Sequence, residues 1–291
     1  RIASLRISAS ATAPIELLLP AANTLVPALQ AVGTGGIQLE AGAILRNASG
    51  APSGTAISTA DSLYLFAGAV YIHETETAHA ALLNKLSRAP ATATGRFVFN
   101  IPGNASYTVS ASNRTYGALQ FMATAAGGTK NYVSTGANPL LIRQELRIDS
   151  GVTYSLNLSA PVQVEGDCRI YGHLNLSSGS VAGQLVLKGN WSGSGRITES
   201  GSASALVELR GSNLQQVRFC GQLQQQVAVQ LNNPSGIKLY QPLWLPYLFR
   251  MQQGVIYSSD TALLTLGPAC VLVADSLSAV QYVDGPLCRE L

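Results

Sequence analysis

From Ile37 onward, apolar and polar residues alternate in short runs, each closed by Gly, Asn, Ser or Pro. Alternation with a period of two marks a half-buried strand, because successive side chains leave a strand on opposite faces. Strands are therefore predicted at residues 37–40, 62–66, 70–72, 96–99, 107–109, 119–122, 154–158, 162–164, 184–187, 206–209 and 227–230. Helical spacing is confined to residues 77–86, a segment too short to organise a fold.

So many short strands suit either an antiparallel sandwich or a parallel β-helix. Tight hairpins favour Asn-Gly or Asp-Gly turns, and the chain has a single such dipeptide, Asp284-Gly285. Its other punctuation is wider, as at Ser177-Ser178-Gly179-Ser180 and Gly211-Ser212-Asn213, which fits the corners of a solenoid. The predicted fold is all-β, a right-handed parallel β-helix running continuously over residues 1–291, with short loop excursions at 89–95 and 123–130. Its core is expected to be a narrow column of Leu, Val, Ile and Ala with little room for large aromatics. The chain opens with Arg1, and neither residues 1–5 nor 288–291 read as a polar cap, so it is expected to be a piece of a longer multi-domain protein.

Charge narrows the function. Lys and Arg number 18 and Asp and Glu 15, only 11% of the chain, for a net charge of +3 without basic runs. No dense phosphate-neutralising patch is available, so nucleic acid is excluded as a partner. Apolar stretches such as 15–20 and 243–249 are far shorter than the ~20 residues of a spanning helix. Walker, dinucleotide and Gly-x-Ser-x-Gly patterns are absent. The four cysteines, Cys168, Cys220, Cys270 and Cys288, include no C-x-x-C pair and have no neighbouring histidine. Buried free thiols are the first expectation for them, with a disulfide as the alternative.

A family resemblance enters at Leu231-Asn232-Asn233-Pro234-Ser235-Gly236-Ile237-Lys238-Leu239, with Gln253-Gly254-Val255-Ile256, Leu263-Leu264-Thr265-Leu266-Gly267 and Tyr282-Val283-Asp284-Gly285-Pro286-Leu287. Asp61-Ser62-Leu63-Tyr64, Gly95-Arg96-Phe97-Val98-Phe99 and Ser112-Asn113-Arg114-Thr115-Tyr116-Gly117 are of the same kind. Across residues 37–287 the chain resembles the large secreted, solenoidal surface proteins of Bacteroidetes, exported by type IX secretion. The resemblance implies a cell-surface or extracellular location, export machinery as a partner, and O-glycosylation at Asp-Ser/Thr-apolar triplets. Such triplets place candidate modified residues at Ser62, Thr261 and Ser276. Six Asn-x-Ser/Thr triplets also occur, as expected of so Ser- and Asn-rich a chain.

In one coil the resemblance implies that Ile237, Leu239, Leu243, Leu245, Phe249 and Met251 point inward, and Lys238, Tyr240, Trp244, Pro246, Leu248 and Arg250 outward. Tyr240, Trp244, Tyr247 and Leu248 then form a candidate interaction patch where related coils carry small polar residues. Two clusters could carry chemistry. Glu165, Asp167 and His173 are candidate acid/base groups, while His73, Glu74, Glu76 and His79 lack the i, i+4 histidine spacing of a helical zinc site. Neither cluster is chosen as a catalytic or metal site, and no cofactor is implied. The expected function is a non-enzymatic surface rod for adhesion, matrix or filament assembly, with glycans or other surface proteins as partners. The alternatives are a carbohydrate-active β-helix, in which Tyr240, Trp244 or Tyr247 stacks sugars, and a tailspike-like fibre.

Overall fold

The computed structural model describes residues 1–9, 13–124, 127–274 and 281–291. The chain winds into a parallel β-solenoid of about 11 turns with almost no helix. Among the described residues the ladders between strands are parallel, and the one antiparallel bridge joins Ser259 to Ala262. From Leu45 to Leu239 each coil stacks on the last with an offset of 22 to 27 residues. Leu146 lies against Cys168, Cys168 against Trp191, Trp191 against Val217, and Val217 against Leu239.

This register puts like positions of successive coils one above another. The column through Leu45, Tyr71, Phe97, Leu119, Leu146, Cys168, Trp191, Val217 and Leu239 is buried throughout. The period-two assignment holds in the later coil, where Ile237, Leu239, Leu243, Leu245, Phe249 and Met251 are all buried. The predicted runs 96–99, 162–164 and 184–187 coincide with the strands Arg96–Phe99, Val162–Val164 and Gln184–Leu187. Strands such as Arg196–Thr198 and Gln215–Phe219 were not evident in the sequence, because polar outward residues and glycines interrupt their short apolar patterns.

The core is not the purely aliphatic column expected. Tyr71, Phe97, Phe99, Tyr116, Phe121, Tyr132, Tyr154, Trp191 and Phe219 are all fully buried. Phe99 stacks on Phe121 at 5.6 Å between ring centroids, Phe121 meets Tyr154 at 4.1 Å, and Trp191 stacks on Phe219 at 4.5 Å. Parallel stacking presents ring above ring at strand spacing, a geometry that offset aromatic pairs favour. The phenols are tolerated because their hydroxyls find partners. Tyr116 donates to the Ser110 carbonyl at 3.0 Å, and Tyr132 donates to that of Met122 at 2.8 Å.

The corners explain the glycines. A Cβ at Gly195 would lie 2.0 Å from the Gly172 carbonyl oxygen, and one at Gly221 would lie 1.8 Å from the Gly195 carbonyl oxygen. Three successive coils thus turn at positions where only a residue without a side chain lets the backbones stack.

The predicted helix at 77–86 contracts to a single turn, Ala80–Leu83. At its start the Thr77 amide donates to Thr75 Oγ1 and the Thr77 carbonyl accepts the Tyr107 hydroxyl at 2.9 Å. At its end the Lys85 and Leu86 amides bond three residues back, to Leu82 and Leu83. Burial of Leu82, Leu83 and Leu86, worth about 1.5–3 kcal/mol for each side chain, ties this excursion to the solenoid.

Candidate functional site

Trp244 occupies the outward position of the strand Leu243–Leu245, between two buried leucines and beside Thr265 of the next coil. Its indole is held on two sides. Nε1 donates to Glu290 Oε2 at 3.0 Å, and the ring lies so close to position 267 that a Cβ there would stand 2.8 Å from Cζ2. Gly267 is thus the seat of the ring, yet 42% of the tryptophan remains open to solvent. Trp244 thus presents a large aromatic face that is both fixed in place and open to a ligand.

The ring borders a groove of about 550 Å³ lined by Gly221, Gln222, Leu223, Gln224, Gln225 and Pro246. Gln225 holds the left-handed backbone conformation, at φ 61°, on the rim of this groove. The lining carries no charged side chain; it offers amides next to an indole. This composition suits a neutral ligand with alternating apolar and hydroxyl faces, since each amide presents both a donor and an acceptor.

Of the four residues in the expected patch, Trp244 is the one that lines the groove. Tyr240 is half-buried and follows the strand Ile237–Leu239, in a different sheet from Trp244; the Arg218 guanidinium lies 3.9 Å from its ring centroid. Tyr247 and Leu248 are half-buried, and so are the outward Pro246 and Arg250, whereas Lys238 is exposed. The glutamines beside Trp244 escaped sequence reading. In the run from Gln222 to Gln225 one leucine stands among amides, and only the stacking register brings it next to Trp244.

The acid/base candidates do not share a hydrogen bond. Glu165 pairs with Arg143 at 3.4 Å and with Lys188 at 3.6 Å. Asp167, on the strand Asp167–Ile170, accepts from Asn190 at 3.1 Å. His173 lies in another sheet, with its Nε2 2.7 Å from Thr198 Oγ1. Burial and the nearby positive charge of Arg196 push this histidine down to about 4, so it is neutral near pH 7.

The histidine cluster comes together as a buried polar network. His73 Nε2 and His79 Nδ1 both meet the Tyr107 hydroxyl, at 3.0 and 2.7 Å, and the Ser110 amide donates to His79 Nε2 at 3.0 Å. Tyr71 approaches His73 Nδ1 at 3.4 Å. All four ring nitrogens thus have protein partners. Burial pushes His73 down to about 3 and His79 to about 4. Glu74 turns away to Arg46 at 2.9 Å, and Glu76 is exposed.

All four cysteines are free thiols. Cys168 and Cys270 are buried as expected, but Cys220 is exposed and Cys288 half-buried. Of the triplet positions, Thr261 is exposed in the turn closed by Ser259 and Ala262, Ser62 is half-buried, and Ser276 lies outside the described residues. No helix is long and apolar enough to cross a membrane among the described residues. Compared with protein-family models, curated proteins and solved structures, the chain finds no match.

Proposed function

We propose that the protein is a non-enzymatic, secreted cell-surface rod of structural or adhesin type. The continuous parallel stacking of its coils is the observation that carries this reading. About 11 turns at ~4.8 Å each extend over about 50 Å. Backbone hydrogen bonds run along the axis and a single apolar column fills the interior, so the chain resists bending without a catalytic centre. The separate partners of Glu165, Asp167 and His173 support a non-enzymatic role. Export by type IX secretion to a Bacteroidetes surface, with O-glycosylation at Ser62, Thr261 or Ser276, belongs to the same reading and rests on the family resemblance.

Two measurements test it. Incubation with linear polysaccharides should release no new reducing or unsaturated chain ends, and steady turnover would assign the protein to the carbohydrate-active alternative. On intact cells of the source organism, antibody against the chain should label the outer surface. Signal appearing only after lysis would remove the surface role.

A further inference from the structure

Thr153, His173, Arg196 and Gln222 are register partners on four successive coils. They form an outward row along the solenoid axis, with one side chain every ~4.8 Å. A groove of about 480 Å³ follows this row and meets the Trp244 groove at Gly221 and Gln222. The corner glycines Gly172, Gly195 and Gly221 line the same groove, and their missing side chains keep its floor low.

The chemistry of the row is specific. It presents a hydroxyl, an imidazole that is neutral near pH 7, a guanidinium and an amide, and it ends on the fixed indole of Trp244. Arg196 is exposed and makes no ion pair among the described residues, and no carboxylate lines either groove. One cation is too few to hold a nucleic acid or a polyanionic polymer, whose binding scales with the number of charges neutralised. A peptide adding as a strand would run parallel to the strands and so across the solenoid axis, and from Thr153 to Gln222 the strands of this row are already paired coil to coil. A linear glycan needs neither. Its rings advance by nearly the strand spacing, its hydroxyls pair with amide, imidazole and guanidinium groups, and its C–H faces stack on indole.

We propose that this row is a binding track for a linear neutral glycan, lying parallel to the solenoid axis with about one pyranose per coil and one ring stacked on Trp244. The proposal rests on the surface-rod reading and names the polymer that the rod would hold.

The test is calorimetric titration of the whole chain with dimers through hexamers of β-1,4-linked glucose, of β-1,4-linked mannose and of α-1,4-linked galacturonate. At least one neutral series should bind, with affinity rising until the oligomer spans the row from Thr153 to Trp244. Trp244→Ala should weaken that binding about tenfold or more, Trp244→Phe should keep most of it, and Arg196→Ala and Gln222→Ala should each weaken it several-fold. Tyr240→Ala, which lines neither groove, should leave it unchanged. Absence of binding by both neutral series, tighter binding of the galacturonate hexamer, or full affinity in a folded Trp244→Ala variant overturns the proposal. Product analysis of the same mixtures separates the two readings. Cleavage with binding intact would remove the non-enzymatic role and leave the track, whereas loss of binding alone removes the track and leaves the rod.

Discussion

The Nδ1 atom of His79 lies 2.7 Å from the hydroxyl of Tyr107, 28 residues further along the chain. Because the Ser110 amide donates to His79 Nε2, the ring proton sits on Nδ1 and is donated to the phenol. Tyr107 in turn donates to the Thr77 carbonyl and accepts from His73 Nε2. Two neutral imidazoles therefore tie the 74–79 segment to the solenoid, and a second proton on His79 Nε2 would displace the Ser110 amide.

Acid should loosen this network. An unfolded histidine titrates near ~6.5, whereas burial holds His73 down to about 3 and His79 to about 4, with the charge of Arg114 acting further on His79. Between these values the unfolded chain binds the extra protons. Stability is thus complete above about pH 6.5 and falls as the pH drops toward the folded values, by on the order of a few kcal/mol. Thermal unfolding followed across this range should show a steeper decline for the native chain than for a His73→Phe/His79→Gln variant. Equal slopes would show that the histidines do not govern the acid response.

The corner stack predicts a contrast between two glycines. Gly221→Ala forces a methyl group against the Gly195 carbonyl oxygen and should cost about 1–3 kcal/mol. Gly179 has no atom within 4 Å of its would-be Cβ, so Gly179→Ala should be neutral or stabilising by about 0.4–1 kcal/mol. Chemical denaturation of the two variants checks the pair, and equal effects would contradict the corner argument.

Trp191 stacks on Phe219 while its indole N–H finds no partner among the described residues. Trp191→Ala should cost about 3–5 kcal/mol through loss of packing. Trp191→Phe keeps a ring in the stack and removes an unsatisfied donor, so it should cost far less than the alanine change. Denaturation midpoints that place the two variants together would remove the stack as the source of stability.

Tyr132 accepts the Ile101 amide at 3.1 Å and donates to the Met122 carbonyl at 2.8 Å. Tyr132→Phe leaves both buried groups without this partner and should cost about 1–3 kcal/mol. Amide exchange at Ile101 should accelerate in the variant, and unchanged protection there would count against this bond.

Sequence reading reached furthest where a strand keeps its alternation without interruption. At Val162–Val164 and Gln184–Leu187 the period alone locates the strand, and at Ile237–Leu239 the inward residues are those that the family resemblance implied. It failed where neighbours in space replace neighbours in sequence. The expected aliphatic core missed Phe121 on Tyr154, because aromatics scattered along the chain become a stack only once coils lie in register. The candidate patch held Trp244 but grouped it with Tyr240, which lies outside the Trp244 groove, and it omitted Gln222 and Gln224, which line it.

Local alternation and turn chemistry, which follow from how side chains leave a strand and where glycine is required, determined by themselves that this chain builds short parallel strands around an apolar interior. Tertiary structure alone decided which outward residues stand together. The offset between coils varies with each corner, and it is this offset that lines up Thr153, His173, Arg196 and Gln222 and ends their row beside Trp244.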